Sequence, residues 1–457
     1  MDIIFASTTE LAAAIRTGQV SAGEVLEAHL AQIERHNPAL NAVVTLDAER
    51  ARARAAEADQ AAARGEWWGP LHGVPFTLKD AHATAGVRTT SGFPPLAGHV
   101  PPADGTVAAR LKAAGGILMG KTNVPVLLGD PGQTNNPIFG RTNNPWNLER
   151  TPGGSSGGAA AAVAAGLTPF DICTDLSGSV RIPAHFCGVF GLKPSEHRVS
   201  LAGLLPGLPP PPSVRIMTCI GPLARTVDDL ALLYALLAGP DGQDTDVPPL
   251  PVEAGPELGL KSLRVAVAPT FPGLPVAAEM RQAITALGQQ LSGLGAVVDE
   301  AALPARDVGQ DLASAGELIS MMLGAFQPQP GQAPATLAQY LQALGRRDES
   351  ILAWEKFFDD WDVLLCPPAM TSAFPHCETG APLMVDGQAQ VYWMINGHTT
   401  LFNYTGQPAV VLPRGLDREG LPMGVQLVGR RWGEARLLAA ARAVSEVSGP
   451  FRRPAGY

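Results

Sequence analysis

Leu263-Arg264-Val265-Ala266-Val267 is followed by a segment with helical apolar spacing over 276–293 and then by Val297-Val298. Two short β-branched runs around an amphipathic segment predict strand, helix, strand, the repeating unit of an α/β fold. Downstream, 308–358 reads as helical, Val363-Leu364-Leu365-Cys366-Pro367 as a buried strand, 408–428 as two strands around a Gly-rich turn, and 434–446 as a last helix. Upstream, Thr226 opens a helix, and 159–165 is a helix made almost wholly of Ala. A helix at about 104–114 leads through Gly115-Gly116 into the strand Ile117-Leu118-Met119, and Gly73 to Asp80 is a short strand ending in two charged residues. Thr8 to about Arg64 reads as two or three surface helices, with Thr8 or Thr9 and Ser21 as N-caps. Loops fill 129–154 and 239–256, and a proline run occupies 209–212. Strands thus alternate with helices from end to end, which predicts an α/β fold.

Composition narrows the function. Only 16% of the 457 residues are charged, against about 25% in an average soluble domain. A net charge of −9 with no Lys/Arg cluster argues against a nucleic-acid or membrane-surface partner, since both require a concentrated basic face. Nowhere do about 18 apolar residues run together, so no transmembrane span is expected. Five cysteines without a CxxC pair suit neither a disulfide framework nor a zinc site, and a reducing, cytoplasmic compartment fits best. Length alone allows two or three domains. The six lysines, Lys79, Lys112, Lys121, Lys193, Lys261 and Lys356, are few enough to weigh singly.

Two short motifs mislead. Gly115 to Thr122 (GGILMGKT) fits the P-loop expression, but its middle residues form a strand themselves and Pro125 soon follows, so no flexible phosphate cradle is expected. Gly153-Gly154-Ser155-Ser156-Gly157 fits the nucleophile elbow, yet a loop rather than a strand precedes it, and neither His376 nor His398 has a distinctive setting. Three other features carry chemistry. Ser155 and Ser156 lie between glycine pairs, with the positive end of the Ala helix aimed at them; they read either as an N-cap or as a reactive hydroxyl pair. In Thr174-Asp175-Leu176-Ser177-Gly178-Ser179-Val180-Arg181, small residues let successive N–H groups converge as an oxyanion hole requires, and Asp175 and Arg181 can pin the turn by an ion pair. The plain alternative is a salt-bridged Ser/Gly turn. Lys79 ends an apolar strand, where burial lowers a lysine pKa toward that of a neutral base; a lysine paired with Asp80 is the alternative, and Lys121 is the rival base.

Taken together, these stretches resemble the amidase signature family of Ser-cisSer-Lys hydrolases, in the manner of a bacterial general amidase. The resemblance rests on Gly73 to Asp80, Gly120 to Asn123, Gly140 to Trp146, the Thr151-to-Pro194 block, Gly221 to Arg225, and Asn403 to Ala409. It implies one large domain over 1–457, a twisted mixed β-sheet flanked by helices on both sides. Residues 1–65 would be N-terminal helices, 70–225 the catalytic core, 240–360 a variable substrate-pocket insertion, and 361–457 the C-terminal part of the core. By the same resemblance Ser179 is the nucleophile, Ser155 a proton relay on a cis peptide bond, and Lys79 the base. Leu176, Ser177, Gly178 and Ser179 would supply oxyanion N–H groups, with Ser156, Asp175 and Arg181 in support. The expected reaction converts a carboxylic amide to acid and amine or ammonia, with no metal or cofactor.

The chain departs from the family pattern at Cys173 and Ser177, each in place of a Gly. The pocket would draw on the apolar stretch 318–326, including Met321 and Met322, and on Tyr392 and Trp393, which favours a hydrophobic or aromatic acyl group. The partner is then a small-molecule amide, and a homodimer is left open. Alternatives are the A subunit of a glutamyl-tRNA amidotransferase, which needs a partner, and a non-catalytic binding protein on the same fold. A P-loop ATPase is the weakest.

Overall fold

Strand parity organises the molecule. The computed structural model describes residues 1–207, 215–300, 303–326 and 333–457. The proline run at 209–212 lies outside the described residues. The strands are β1 (Val43–Leu46), β2 (Pro75–Lys79), β3 (Ile117–Thr122), β4 (Asn135–Asn136), β5 (Gly140–Arg141), β6 (Asp171–Asp175), β7 (Phe190–Lys193), β8 (Cys219–Ala224), β9 (Arg264–Val267), β10 (Val297–Asp299), β11 (Val363–Cys366), β12 (Leu383–Val385), β13 (Gln388–Gln390), β14 (Ala409–Leu416) and β15 (Pro422–Val428). Eleven of them form one sheet in the order β1-β3-β2-β6-β8-β7-β14-β15-β11-β9-β10. Parallel pairs β3/β2/β6 and β11/β9/β10 flank an antiparallel centre, so the sheet is mixed.

The helices are α1 (Thr8–Arg16), α2 (Ala22–Leu40), α3 (Ala48–Ala63), α4 (Thr106–Ala113), α5 (Gly157–Ala164), α6 (Arg181–Cys187), α7 (Val227–Leu237), α8 (Ala278–Gly293), α9 (Val308–Phe326), α10 (Leu337–Phe357), α11 (Gly397–Tyr404) and α12 (Glu434–Ser448). Side chains alternate along a strand, and the clusters follow that alternation. Val265, Val267, Val363, Leu365, Val410, Leu412, Val425 and Leu427 pack with α7, α8 and α12. Their neighbours Ala266, Leu364, Cys366, Ala409 and Val428 pack instead with Trp354 and Phe357 of α10 and Leu401 and Phe402 of α11. Both faces are therefore covered, as a sheet whose strands are apolar throughout requires. Phe76, Leu78 and Ile172 belong to the first face. Thr77, Lys79, Asp171, Cys173 and Asp175 consequently share the second.

Several details differ from the sequence expectations. Segment 1–65 is not all helix, because Val43–Leu46 pairs antiparallel with β3 at the sheet edge. Segment 240–360 is built into the sheet rather than set apart, since β9 and β10 form its other edge. The first N-cap is Ser7 rather than Thr8 or Thr9. Its hydroxyl accepts the Glu10 N–H while Glu10 accepts the Ser7 N–H, satisfying two otherwise orphaned donors. GGILMGKT makes no phosphate cradle: β3 occupies its last six residues, and Lys121 Nζ donates to the His82 carbonyl. No helix among the described residues is long and apolar enough to cross a membrane.

The β1 edge depends on Gly120, where any Cβ would overlap the Thr45 carbonyl oxygen. Gly120→Ala is expected to destabilise the protein by about 1–3 kcal/mol in urea denaturation, with faster amide exchange confined to 43–46. Exposed Gly345 in α10 has open space around it, so Gly345→Ala serves as the control and is expected to be neutral or stabilising.

Candidate active site

Lys79 and Asp175 end neighbouring parallel strands, which places them at the same carboxyl edge of the sheet, where α/β folds bind ligands. Lys79 is fully buried. Its Nζ donates to Ser155 Oγ at 2.7 Å, Thr174 Oγ1 at 2.8 Å and Ser156 Oγ at 2.9 Å. Among the described residues it forms no ion pair. Burial lowers its pKa to about 8, against the raising influence of Cys173, Asp175 and Asp171. Ser156 occupies the N-cap position of α5 without capping it, because its hydroxyl faces Lys79. The Gly154–Ser155 peptide bond is cis.

Most glycines around the serines admit neighbouring chain. A Cβ on Gly154 would meet the Gln133 carbonyl at 2.5 Å, and one on Gly158 the Asn123 carbonyl at 2.6 Å. Gly153, with φ +83°, backs onto Pro183.

The turn after β6 is pinned by charge. Asp175 and Arg181 are both fully buried and paired at 2.9 Å. The Asp175 carboxylate also accepts N–H groups from Gly178 at 2.7 Å and Val180 at 3.0 Å, and from the Asn403 amide at 3.0 Å. Burial alone would raise the Asp175 pKa, but the Arg181 guanidinium and these donors hold it far below the usual carboxylate range. Arg181 is fixed in turn by Gln426 at 2.8 Å and by Asn403.

The Gly178 N–H is thereby engaged by Asp175 and corrects the four-donor expectation. The N–H groups of Leu176, Ser177 and Ser179 donate to no described residue. Gly178 has φ +117°, and a Cβ there would strike Thr399, so Gly is required. The Ser177 carbonyl accepts the Thr399 hydroxyl at 2.9 Å. Ser179 is 6% exposed, and its hydroxyl has no hydrogen-bond partner among the described residues.

The rival lysines are equally buried. Burial takes Lys121 to about 8 as well and also lowers Lys193. Yet Lys121 pairs in register with Leu78 and contacts the His82 carbonyl and Thr84, while Lys193 contacts the Pro194 carbonyl and Cys219. Neither meets a serine hydroxyl. His376 Nε2 donates to the Leu148 carbonyl at 3.3 Å, and the His398 ring is buried without a hydrogen-bond partner, so neither forms a Ser/His/Asp arrangement among the described residues.

Of the pocket candidates, Met322 is buried with Leu318, Met217 and Tyr404, and Met321 and Leu176 pack against that cluster. Tyr392 is a structural residue here. It is buried, and its hydroxyl donates to Asp130 at 2.6 Å, leaving Trp393 half exposed beside it. The Phe326 side chain lies outside the described residues. A surface cleft of about 560 Å³ between Asp130, Gln133, Arg141 and Cys377 contains none of Lys79, Ser155 and Ser179. Thr399 and Gln426 carry no local sequence signal, and Thr174 and Asn403 are marked only as members of matched stretches, not by their roles; Asn403 stands 228 positions from Asp175.

The chain matches the Amidase family over residues 24–321 and 313–438. It is 34% identical to an acylamidase of Rhodococcus erythropolis over 464 residues, covering 95% of this chain and 94% of that protein. It is 35% identical to the A subunit of the glutamyl-tRNA(Gln) amidotransferase of Moorella thermoacetica over 499 residues, covering 99% of each. The structure of a bacterial aryl acylamidase of the amidase signature family superposes with a TM-score of 0.87 at 28% identity, covering 100% of both chains. The chain belongs to the amidase signature family. It is a hydrolase acting on amide C–N bonds.

Removing Arg181 would strand a buried carboxylate, so Arg181→Met is expected to cost about 3–5 kcal/mol in denaturant unfolding at neutral pH. Because the folded pKa of Asp175 is depressed, its stabilisation is present above its unfolded value near 3.9 and is lost as pH falls further. Thermal melts of the wild type across that acid range check the sign.

Proposed function

We propose that amide hydrolysis here proceeds through a Ser179 acyl-enzyme, with Ser155 as relay and Lys79 as base. The observation that carries this reading is a fully buried lysine whose Nζ lies 2.7 Å from a serine hydroxyl, with no carboxylate in contact. Lys121 and Lys193 are as buried and likewise form no ion pair among the described residues, so the contact with serine hydroxyls is what singles Lys79 out. Lowering its pKa from 10.5 to about 8 raises the neutral fraction near pH 7 by about two orders of magnitude.

Neutral Lys79 takes the Ser155 proton while Ser155 takes that of Ser179, and Ser179 Oγ bonds to the amide carbonyl carbon. The N–H groups of Leu176, Ser177 and Ser179 hold the oxyanion. The C–N bond breaks as Ser155 passes its proton to the leaving amine, and Lys79 returns one to Ser155. Water then attacks the acyl-enzyme through the same relay, releasing acid. Substrate brings the Ser155 and Ser179 hydroxyls into contact, as apo sites commonly tighten on binding.

The apolar cluster of Met217, Leu318 and Met322 beside Leu176 supports a hydrophobic or aromatic acyl group. Free cysteines, four of the five buried, support a cytoplasmic setting. The full-length likeness to one component of an amidotransferase favours a second reading, in which a partner chain is required. ATP-dependent transamidation by a co-purified complex would establish that reading, whereas turnover of simple amides by the isolated chain supports the first.

A fluorophosphonate probe is expected to label Ser179, and Ser179→Ala or Lys79→Ala to abolish amide turnover; full turnover in either variant refutes the assignment. Because the base acts when neutral, kcat/KM is expected to rise with pH and level off above about 8. A profile flat from pH 6 to 10 argues against Lys79 as base.

A further inference from the structure

The serine turn is held from behind by a loop that the reaction does not touch. Thr134 Oγ1 donates to the Gly153 carbonyl at 2.8 Å and accepts the Gly157 N–H at 3.1 Å, spanning Ser155 from two residues before it to two after. The Gly154 N–H donates to the Pro131 carbonyl at 3.1 Å, and Thr151 Oγ1 donates to the Gly132 carbonyl at 2.8 Å. The far side of this loop is fixed by the Asp130 carboxylate, which accepts the Gly132 N–H at 2.8 Å and the Tyr392 hydroxyl at 2.6 Å.

The Gly157 N–H is one of the first donors of α5, and helix N-termini need an outside acceptor for such groups. Ser156 stands at the N-cap position but makes no capping bond, because its hydroxyl accepts from Lys79. Thr134 supplies the missing acceptor from another part of the chain. Ser156 is thereby left to Lys79, and Ser155 is fixed between two tethered residues. Thr134 and Gly157 approach so closely that a Cβ on Gly157 would strike Thr134 Oγ1, so one cannot shift without the other.

We infer that Thr134 is a positioning residue for amide hydrolysis, its hydroxyl setting Ser155 against Lys79 for proton return to the leaving amine. The inference rests on the proposed Ser155 relay. An amide needs the relay twice per acylation, to take a proton from Ser179 and to give one to the amine. A p-nitrophenyl ester needs only the first, because its phenolate departs unprotonated.

Near-isosteric Thr134→Val removes the hydroxyl. It is expected to lower kcat for an aryl amide by about 10²-fold with KM little changed, and p-nitrophenyl ester turnover by at most about tenfold. Thr134→Ser, which keeps the hydroxyl, should restore the amide-to-ester ratio, and Thr134→Ala should reproduce the Val result, guarding against misfolding of one variant. Fluorophosphonate labelling of Ser179 reports a folded site in each. A labelled Val or Ala variant with an unchanged amide-to-ester ratio overturns the inference alone, whether both activities persist or fall together. A wild type that the probe does not label at Ser179 overturns the relay reading itself, and the inference with it.

Discussion

The turn that follows β6 depends on one buried ion pair. Removing both Asp175 and Arg181 from water carries a desolvation cost of several kcal/mol per ion, which their attraction offsets only if the remaining hydrogen-bonding capacity is also used. It is used: Gly178, Val180 and Asn403 satisfy the carboxylate, and Gln426 and Asn403 satisfy the guanidinium. Those bonds fold the 175–181 turn, aim the Leu176, Ser177 and Ser179 amides, tie Asn403 of α11 to the end of β6, and tie Gln426 of β15 to α6. The pair thus links the 175–181 turn to the C-terminal part of the chain.

Burial alone does not make a base. Lys79, Lys121 and Lys193 all lie under apolar cover, and all have lowered pKa values for the same reason. Contacts separate them. Lys121 meets the His82 carbonyl and the Thr84 hydroxyl, and Lys193 the Pro194 carbonyl and the Cys219 thiol, whereas Lys79 alone of the three meets serine hydroxyls, which can donate to a neutral amine. Strand parity separates Lys79 from Lys121 at the serines: Lys121 is in register with Leu78 and so points to the opposite face from Lys79.

Much of this was legible in the chain. The alternation of short β-branched runs with amphipathic segments marks the α/β class, and Lys79, Ser155, Asp175 and Arg181 stand out because a charged or hydroxyl residue amid small or apolar neighbours needs a reason. The edge strand Val43–Leu46 did not stand out, because four residues between two long helices carry too little periodicity. Engagement of the Gly178 N–H by Asp175 was hidden for another reason: which amides of a turn remain free depends on side-chain conformation, and sequence spacing does not encode it. Several glycines beside the serines make room for the 130–134 loop and for Asn123. Such cross-chain packing has no local signature.

The distances in sequence among the groups around Asp175 also order events during synthesis. Asn403 lies 228 residues after Asp175, and Gln426 lies 245 after Arg181. At roughly 5–20 residues per second, a ribosome needs about 10–50 s to travel from Asp175 to Asn403. Throughout that interval the nascent chain holds an acid and a base without the side-chain amides that complete their shell. The 175–181 turn is therefore among the last parts of the molecule able to close, and chaperone protection of the emerging chain matters most in that window.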